Sequence, residues 1–382
     1  MAAPLKLVPA LAVFVSATVL TIPAAKPAPK DGNPASTHAP LPRSAVAGLD
    51  YLARHQNPDG GWNLGASGRP ADLSNTSIAG LAFLRGGGSM TRGTAASVLT
   101  RAEEFVTKTV AASDDQTLIH PSNGDPLIHA DLGPGIDAIL AAWFLAELLD
   151  QGVPREAEER IRTTLRRLAN VIGSARTGGM LDHHGSRVLS LALAARALRR
   201  ASDCGIAIDE AVLQGLIHEA DAMARTGSNA AADFYQCAAV AGTLLTGSDA
   251  LPPASPPTAL IRLADQPARD TNGKPVDTAR NQNSLADVSA TVSRTVANPA
   301  WQGVSASGGE ISIATMLIGD MLHSTRSNAW PAWNRRVGQG FAQTQNRDGS
   351  WTGTSCINGR VFCTASAVLA TLSDRISSSA NE

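Results

Sequence analysis

The sequence predicts an all-α protein, built as an α/α toroid of about six helix pairs. Three observations support this prediction. The chain is rich in Ala, Leu and Gly, which favours helices in close contact, and aromatic residues make up only 4% of it. Amphipathic helical segments alternate with segments that are apolar on most sides. A motif near the start of the chain recurs near its end.

The recurring motif consists of a helix end, a turn and a tryptophan. Residues 51–62 and 341–351 both contain Gln-Asn-x-Asp-Gly-Gly/Ser-Trp after a helical segment. The similarity continues beyond a loop, because residues 76–84 match residues 364–372 at their Thr, Ala and Leu positions. Two matched elements in a fixed order indicate a structural repeat rather than a chance Asp-Gly turn.

Each residue type in the motif has an expected role. Asp and Gly turn the chain, because glycine tolerates positive φ and aspartate bonds nearby backbone. The tryptophan covers the helix end, and Asp72 or Ser74 is expected to cap the next, apolar helix. The motif residues are Gln56, Asp59, Gly60 and Trp62 in the first unit and Gln345, Asp348, Gly349 and Trp351 in the second.

The alternation continues between these two units, so we expect the toroid to cover residues 43–376. A fifth pair is weak, and the polar residues 265–306 within it are expected to be an irregular insertion. An open solenoid of hairpins is the alternative, although a repeat at both ends favours closure. The other expected pairs are 94–110 with 134–149, 155–171 with 186–200, 210–225 with 231–245, 259–264 with 311–322, and 330–345 with 363–372.

The N-terminal residues differ from the rest. Lys6, an apolar run and then small residues are typical of a secretory signal in residues 1–25. The run is shorter than the roughly 20 residues of a membrane-spanning helix, and an uncleaved anchor is the alternative. Residues 26–42, rich in Pro and Ala, are expected to be a disordered linker. We therefore expect an exported protein, whether periplasmic, secreted or membrane-anchored.

The net charge of the chain limits its expected binding partners. A net charge of −1 gives no basic surface for binding nucleic acid, and a membrane is expected as a partner only through the N-terminal segment.

Four cysteines are too few for a disulfide scaffold. Cys356 and Cys363 are expected to pair, since a short loop brings their Cα atoms within range. Cys204 and Cys237 are expected to stay apart, at opposite ends of parallel helices.

The Gln-x-x-Asp-Gly-x-Trp pattern is the QW motif, and the chain resembles the prenyltransferase and squalene-cyclase repeat family. Gln56 with Trp62 and Gln345 with Trp351 carry the resemblance, together with residues 330–372. In squalene and hopene cyclases and protein prenyltransferase β-subunits this repeat builds an α/α toroid. The motif is structural in that family, so the resemblance implies a fold and not a reaction.

The catalytic motifs of the family are missing. The nearest match to the cyclase Asp-x-Asp-Asp, residues 113–116, lacks the first Asp and is expected to be a solvated turn. The zinc ligands of a prenyltransferase are not found, because Asp203 and Cys204 are adjacent rather than spaced. Few aromatic side chains remain to surround a carbocation. We expect no cofactor and no metal, and the sequence leaves open whether the protein is an enzyme.

Ionisable residues near the starts of the inner helices are the weak candidates for a catalytic role. A vicinal histidine pair could bind a metal or act as acid and base, and a polar capping loop is the alternative. Carboxylates in a ring could bind a cation or a sugar, and helix capping is the alternative. The candidates are Asp72, Asp131, Asp182, His183, His184, Asp233 and Glu310.

These observations favour a squalene-cyclase-like repeat protein, non-catalytic or degenerate, that binds a ligand or partner at the toroid cavity mouth. The ligand is a small molecule, a lipid or a glycan. The alternative is an enzyme, either an isoprenoid cyclase or isomerase or a polysaccharide lyase or hydrolase. Sparse aromatics and acidic helix starts favour a polar ligand over an isoprenoid.

Overall fold

A computed structural model divides the chain into two units, residues 1–39 and 40–382. The described residues are 40–65, 69–121, 126–177, 187–224, 308–354 and 357–375, with the single positions 234, 238, 239, 241, 242 and 290. The predicted signal segment lies outside the described residues, as do most of the predicted linker and of the insertion at 265–306.

The described residues are helical and form no strand, which confirms the all-α prediction. Most predicted helices are found within a few residues of their expected bounds. Two short helices, α4 and α5, were not predicted. The helices are α1 (Arg43–Arg54), α2 (Leu73–Arg85), α3 (Ala96–Ala112), α4 (Asp115–Ile119), α5 (Pro126–Leu132), α6 (Ile136–Gln151), α7 (Arg155–Thr177), α8 (Arg187–Asp203), α9 (Glu210–Ala224), α10 (Gly309–Ser324), α11 (Trp330–Thr344) and α12 (Arg360–Thr371).

The long helices form a buried layer and an amphipathic layer. In the buried layer α10 packs against α12, α12 against α2, α2 against α6, and α6 against α8. Every residue of α2 is buried, including the polar residues near its start. The amphipathic helices α1, α3, α7, α9 and α11 pack against this layer, each with its apolar face toward it.

The buried helices run parallel to one another. At their N-terminal ends Ser74 of α2 donates to Asp137 of α6. At their C-terminal ends Arg85 of α2 pairs with Asp320 of α10 at 2.8 Å. A Cβ placed on Gly242 would lie 3.0 Å from Ala192 of α8 and 3.4 Å from Leu317 of α10, so position 242 lies between these two helices.

The two repeat units place their tryptophans identically. Trp62 is fully buried, and its Nε1–H donates to the Leu52 carbonyl at the end of α1, at 2.8 Å. Trp351 is 4% exposed, and its Nε1–H donates to the Phe341 carbonyl of α11, at 2.9 Å. The scaffold role predicted for both tryptophans is therefore what the structure shows.

The glutamine of each unit joins neighbouring amphipathic helices. Gln56 Nε2 donates to the Gly60 carbonyl of its own turn and, at 2.9 Å, to the Val98 carbonyl of α3. Gln345 Nε2 bonds its own turn in the same way and donates at 2.8 Å to the Ser44 carbonyl of α1. The last unit is thereby attached to the first helix.

The cysteines do not follow the predicted pairing. No two cysteines within the described parts of the chain lie at disulfide distance. The buried thiol of Cys363 donates to the Ile357 carbonyl at 3.2 Å. Cys356 and Cys237 lie outside the described residues. The predicted Cys356–Cys363 disulfide therefore gains no support.

None of the described helices is by itself long and apolar enough to span a membrane. Together α5 and α6 meet that criterion by length and composition, with a 92° bend between them.

Candidate functional site

Polar side chains gather at the N-terminal ends of the buried helices, beginning with α2. Asp72 caps this helix, and its carboxylate accepts from the Asn75 backbone N–H at 2.7 Å. It also accepts from Asn75 Nδ2 at 2.9 Å. Both residues are buried. The capping role predicted for Asp72 is confirmed, and it brings an amide into contact with a buried carboxylate.

Asp137, in the first turn of α6, holds two further side chains. It is 2% exposed, and its Oδ1 accepts from the Ser74 hydroxyl and lies 3.2 Å from His129 Nε2. The serine bonds the carboxylate and not the imidazole, so the three residues do not form a nucleophilic Ser-His-Asp relay. Ser74 and His129 both approach the Oδ1 atom of this carboxylate.

Glu310 contributes a carboxyl group from the first turn of α10. It is 1% exposed, and its Oε2 accepts from the Ile357 N–H at 3.2 Å. Burial, with a smaller contribution from the negative charge of Asp131 on α5, raises the pKa of Glu310 to about 7. Near neutral pH this carboxyl group is therefore present in both its neutral and its ionised form.

Two acceptors at this end of the molecule have no hydrogen-bond partner among the described residues. They are Asn75 Oδ1 and Ser77 Oγ, and both residues are fully buried. Because the Asn75 amide nitrogen contacts Asp72, its Oδ1 lies beside that carboxylate. Buried polar atoms normally find a partner, and a missing one costs about 1–3 kcal/mol.

The short helix α5 lies across the N-terminal ends of its neighbours. Besides the contact between His129 and Asp137, the Leu132 carbonyl accepts from the Ser190 hydroxyl of α8. Asp131 comes from the same helix. We call the polar side chains gathered here the N-terminal cluster: Asp72, Ser74, Asn75, Ser77, His129, Asp131, Asp137 and Glu310.

The opposite ends of the buried helices are held by a second charged group. Asp320 accepts from Arg85 at 2.8 and 3.0 Å and pairs with Arg196 at 2.7 Å. The Arg196 guanidinium stacks 4.7 Å above the Trp143 ring, and its burial lowers its pKa. These contacts join α2, α6, α8 and α10, and we interpret them as structural.

The predicted site residues are only partly brought together. Asp72, Asp131 and Glu310 lie at the N-terminal ends as expected. The remaining candidates Asp182, His183, His184 and Asp233 lie outside the described residues.

The near match to the cyclase motif, residues 113–116, lies away from the N-terminal cluster, at the start of α4. Asp114 caps that helix, and the exposed Asp115 pairs with Arg167 at 2.9 Å. The prediction of a solvated turn is wrong only in that the segment begins a short helix.

Sequence reasoning missed Asn75, Ser77, His129 and Asp137 as site residues. One signal could have found Asp137, since it is the only charged residue between Asp131 and Glu147, in an otherwise apolar helix. No comparable signal marks His129, because its contact with Asp137 depends on how α5 turns into α6.

Comparisons with known proteins assign no function to these residues. No protein-family model matches the chain, and no curated protein matches it. In the part of the chain that the structure describes, no three His, Cys, Asp or Glu side chains are placed to hold a metal ion.

Proposed function

We propose that the chain is a squalene-cyclase-like α/α toroid that binds a small polar ligand at the N-terminal ends of its inner helices. Three observations support closure of the helices into a ring. The buried helices run parallel, residue 242 lies between α8 and α10, and Gln345 attaches the last unit to α1. Export of the protein is part of the proposal and rests on residues 1–25 alone.

The observation that carries the binding proposal is the pair of buried acceptors without partners, Asn75 Oδ1 and Ser77 Oγ. A ligand with hydrogen-bond donors that reaches either atom would offset the free-energy cost of leaving it unpaired. The surrounding side chains are carboxyl, amide and hydroxyl groups. This chemistry suits a polar ligand and is unsuited to a hydrocarbon such as an isoprenoid.

A thermal-shift screen with small polar compounds tests the proposal. Compounds that bind should raise the melting temperature of the wild type, because they bind only the folded chain. Ser77→Ala removes an unpartnered hydroxyl, so we expect it to fold normally and to lose part of this shift.

Ser366→Ala is the matched control, because this buried serine donates to the Phe362 carbonyl within its own helix. It should keep the full ligand shift. Shifts that are equal in Ser77→Ala and wild type, or no shift with any polar compound, would contradict the proposal.

A second candidate, an acid–base enzyme acting on a polysaccharide, is favoured by one observation. Glu310, with its pKa near 7, lies close to the carboxylate of Asp131. A carboxyl group with a raised pKa beside a second carboxylate is the usual acid and base pair of glycoside cleavage. Cleavage of a polysaccharide by the wild type, lost in a folded Glu310→Gln variant, would establish this function over simple binding.

A further inference from the structure

We propose that Asn358 is a site of spontaneous covalent modification, at which the side-chain amide is lost and a carboxylate takes its place. The site lies in the loop between α11 and α12, and the proposal is independent of ligand binding at the N-terminal cluster. It rests on the residue that follows Asn358, on the exposure of its side chain and on the hydrogen bonds of the surrounding loop.

The reaction needs only the chain and water. The backbone nitrogen of Gly359 attacks the side-chain carbonyl carbon, Cγ, of Asn358. A carbon–nitrogen bond forms, the proton of that nitrogen moves to the departing amide group, and ammonia leaves. The product is a five-membered cyclic imide. Water then opens this ring at either carbonyl group, which gives aspartate or isoaspartate without any oxidation or reduction.

The two reacting groups carry no hydrogen bond among the described residues. The Asn358 side chain is exposed, and neither its amide group nor the Gly359 N–H is engaged there. Neighbouring atoms hold the loop instead. The Ile357 carbonyl accepts from the Gly309 N–H at 2.7 Å, and the Gly359 carbonyl accepts from the Cys363 N–H at 2.9 Å. The loop is therefore fixed on both sides while the amide and the attacking nitrogen remain available.

Glycine at position 359 favours the reaction. It has no Cβ beside its nitrogen, and it permits more backbone conformations than any other residue. Asn328 provides the comparison within the same chain, because it is also exposed but precedes Ala329, whose N–H donates to Ser327 Oγ at 3.3 Å. The other two Asn-Gly pairs, at 123–124 and 272–273, lie outside the described residues.

The modified loop joins two buried helices. The Ile357 N–H donates to Glu310 Oε2 in the first turn of α10, at 3.2 Å. The Arg360 N–H, at the start of α12, donates to the Leu64 carbonyl at 3.0 Å. Isoaspartate would add a main-chain carbon between these two contacts, so both could not keep their present geometry. We therefore expect the modification to weaken the junction of α10 and α12.

Peptide mapping by mass spectrometry tests the proposal on the folded full chain, incubated at mildly alkaline pH. The product is heavier than the original because OH replaces NH2, and chromatography separates isoaspartate from aspartate. We expect Asn358 to convert at least about tenfold faster than Asn328, which corresponds to a barrier about 1.4 kcal/mol lower. Asn358→Gln is the matched control, because its longer side chain would have to close a six-membered ring, and it should stay unmodified.

Two results would overturn the modification. One is equal conversion of Asn358 and Asn328. The other is an Asn358 that stays intact in the folded chain while a synthetic peptide of residues 352–364 converts in the same buffer, because the fold would then protect it. The isoaspartate form, separated by ion exchange, should melt at a lower temperature than the original chain. Equal melting temperatures would overturn the weakened junction.

Discussion

Trp351→Ala is predicted to destabilise the protein by about 3–5 kcal/mol, the usual range for deleting a buried tryptophan side chain. The indole is 4% exposed and meets the Phe341 ring edge to face, with 6.0 Å between ring centroids. Its N–H also donates to the Phe341 carbonyl at 2.9 Å, and alanine would remove that bond. The lost bond places the expected value toward the upper end of the range.

Urea denaturation of the wild type and the variant measures this difference. Trp62→Ala should give a similar value, because Trp62 makes the equivalent bond to Leu52. Trp330→Ala is the control, since that partly buried ring packs on His323 and should cost less. A loss below about 0.5 kcal/mol for Trp351→Ala, the level of an ordinary surface substitution, would refute the scaffold role of the motif.

Three further predictions concern the turn, the carboxyl group and the ring. Gly349→Ala should lower the melting temperature markedly, because φ is 91° and the new Cβ would lie 2.4 Å from the Ala47 carbonyl oxygen. Gly338→Ala is the control and should leave the melting temperature unchanged, because nothing lies within 4 Å of its new Cβ. The pKa of Glu310 rises from 4.5 to about 7 on folding. Between pH 4.5 and 7 the unfolded chain therefore binds fewer protons than the folded chain does. The wild type should therefore lose stability as pH rises from 4.5 to 7, and urea titrations should show a flatter profile for Glu310→Gln. Deleting residues 330–382 removes α11 and α12 and should abolish cooperative folding by circular dichroism, whereas a soluble truncation with an unchanged melting temperature would favour an open solenoid.

The repeat could be predicted from the sequence because its contacts are local. The matched threonines Thr76 and Thr364 accept from the backbone N–H of Trp62 and Trp351, at 2.9 and 3.0 Å. Each bond spans only 14 or 13 residues, so the same short pattern produces the same structure twice. Helix positions could also be predicted, because apolar periodicity is a local feature of the sequence.

The N-terminal cluster was less predictable because its contacts are distant in sequence. Ser74 and Asp137 lie 63 residues apart, and their contact depends on the packing of α2 against α6. The helix α5 is short and has no strong periodicity, so nothing in the sequence predicted that His129 and Asp131 would reach different neighbours.

A crystal structure of the full chain grown with a polar compound that raises its melting temperature tests the central claim most directly, because it locates the ligand. We predict a hydrogen-bond donor of the ligand within hydrogen-bonding distance of Asn75 Oδ1 or Ser77 Oγ, at the N-terminal ends of the buried helices. Ligand density in another place, such as the surface groove lined by Leu41, Val46 and Val98, would contradict the account. So would an N-terminal cluster that holds only water at ligand concentrations that saturate the protein in solution.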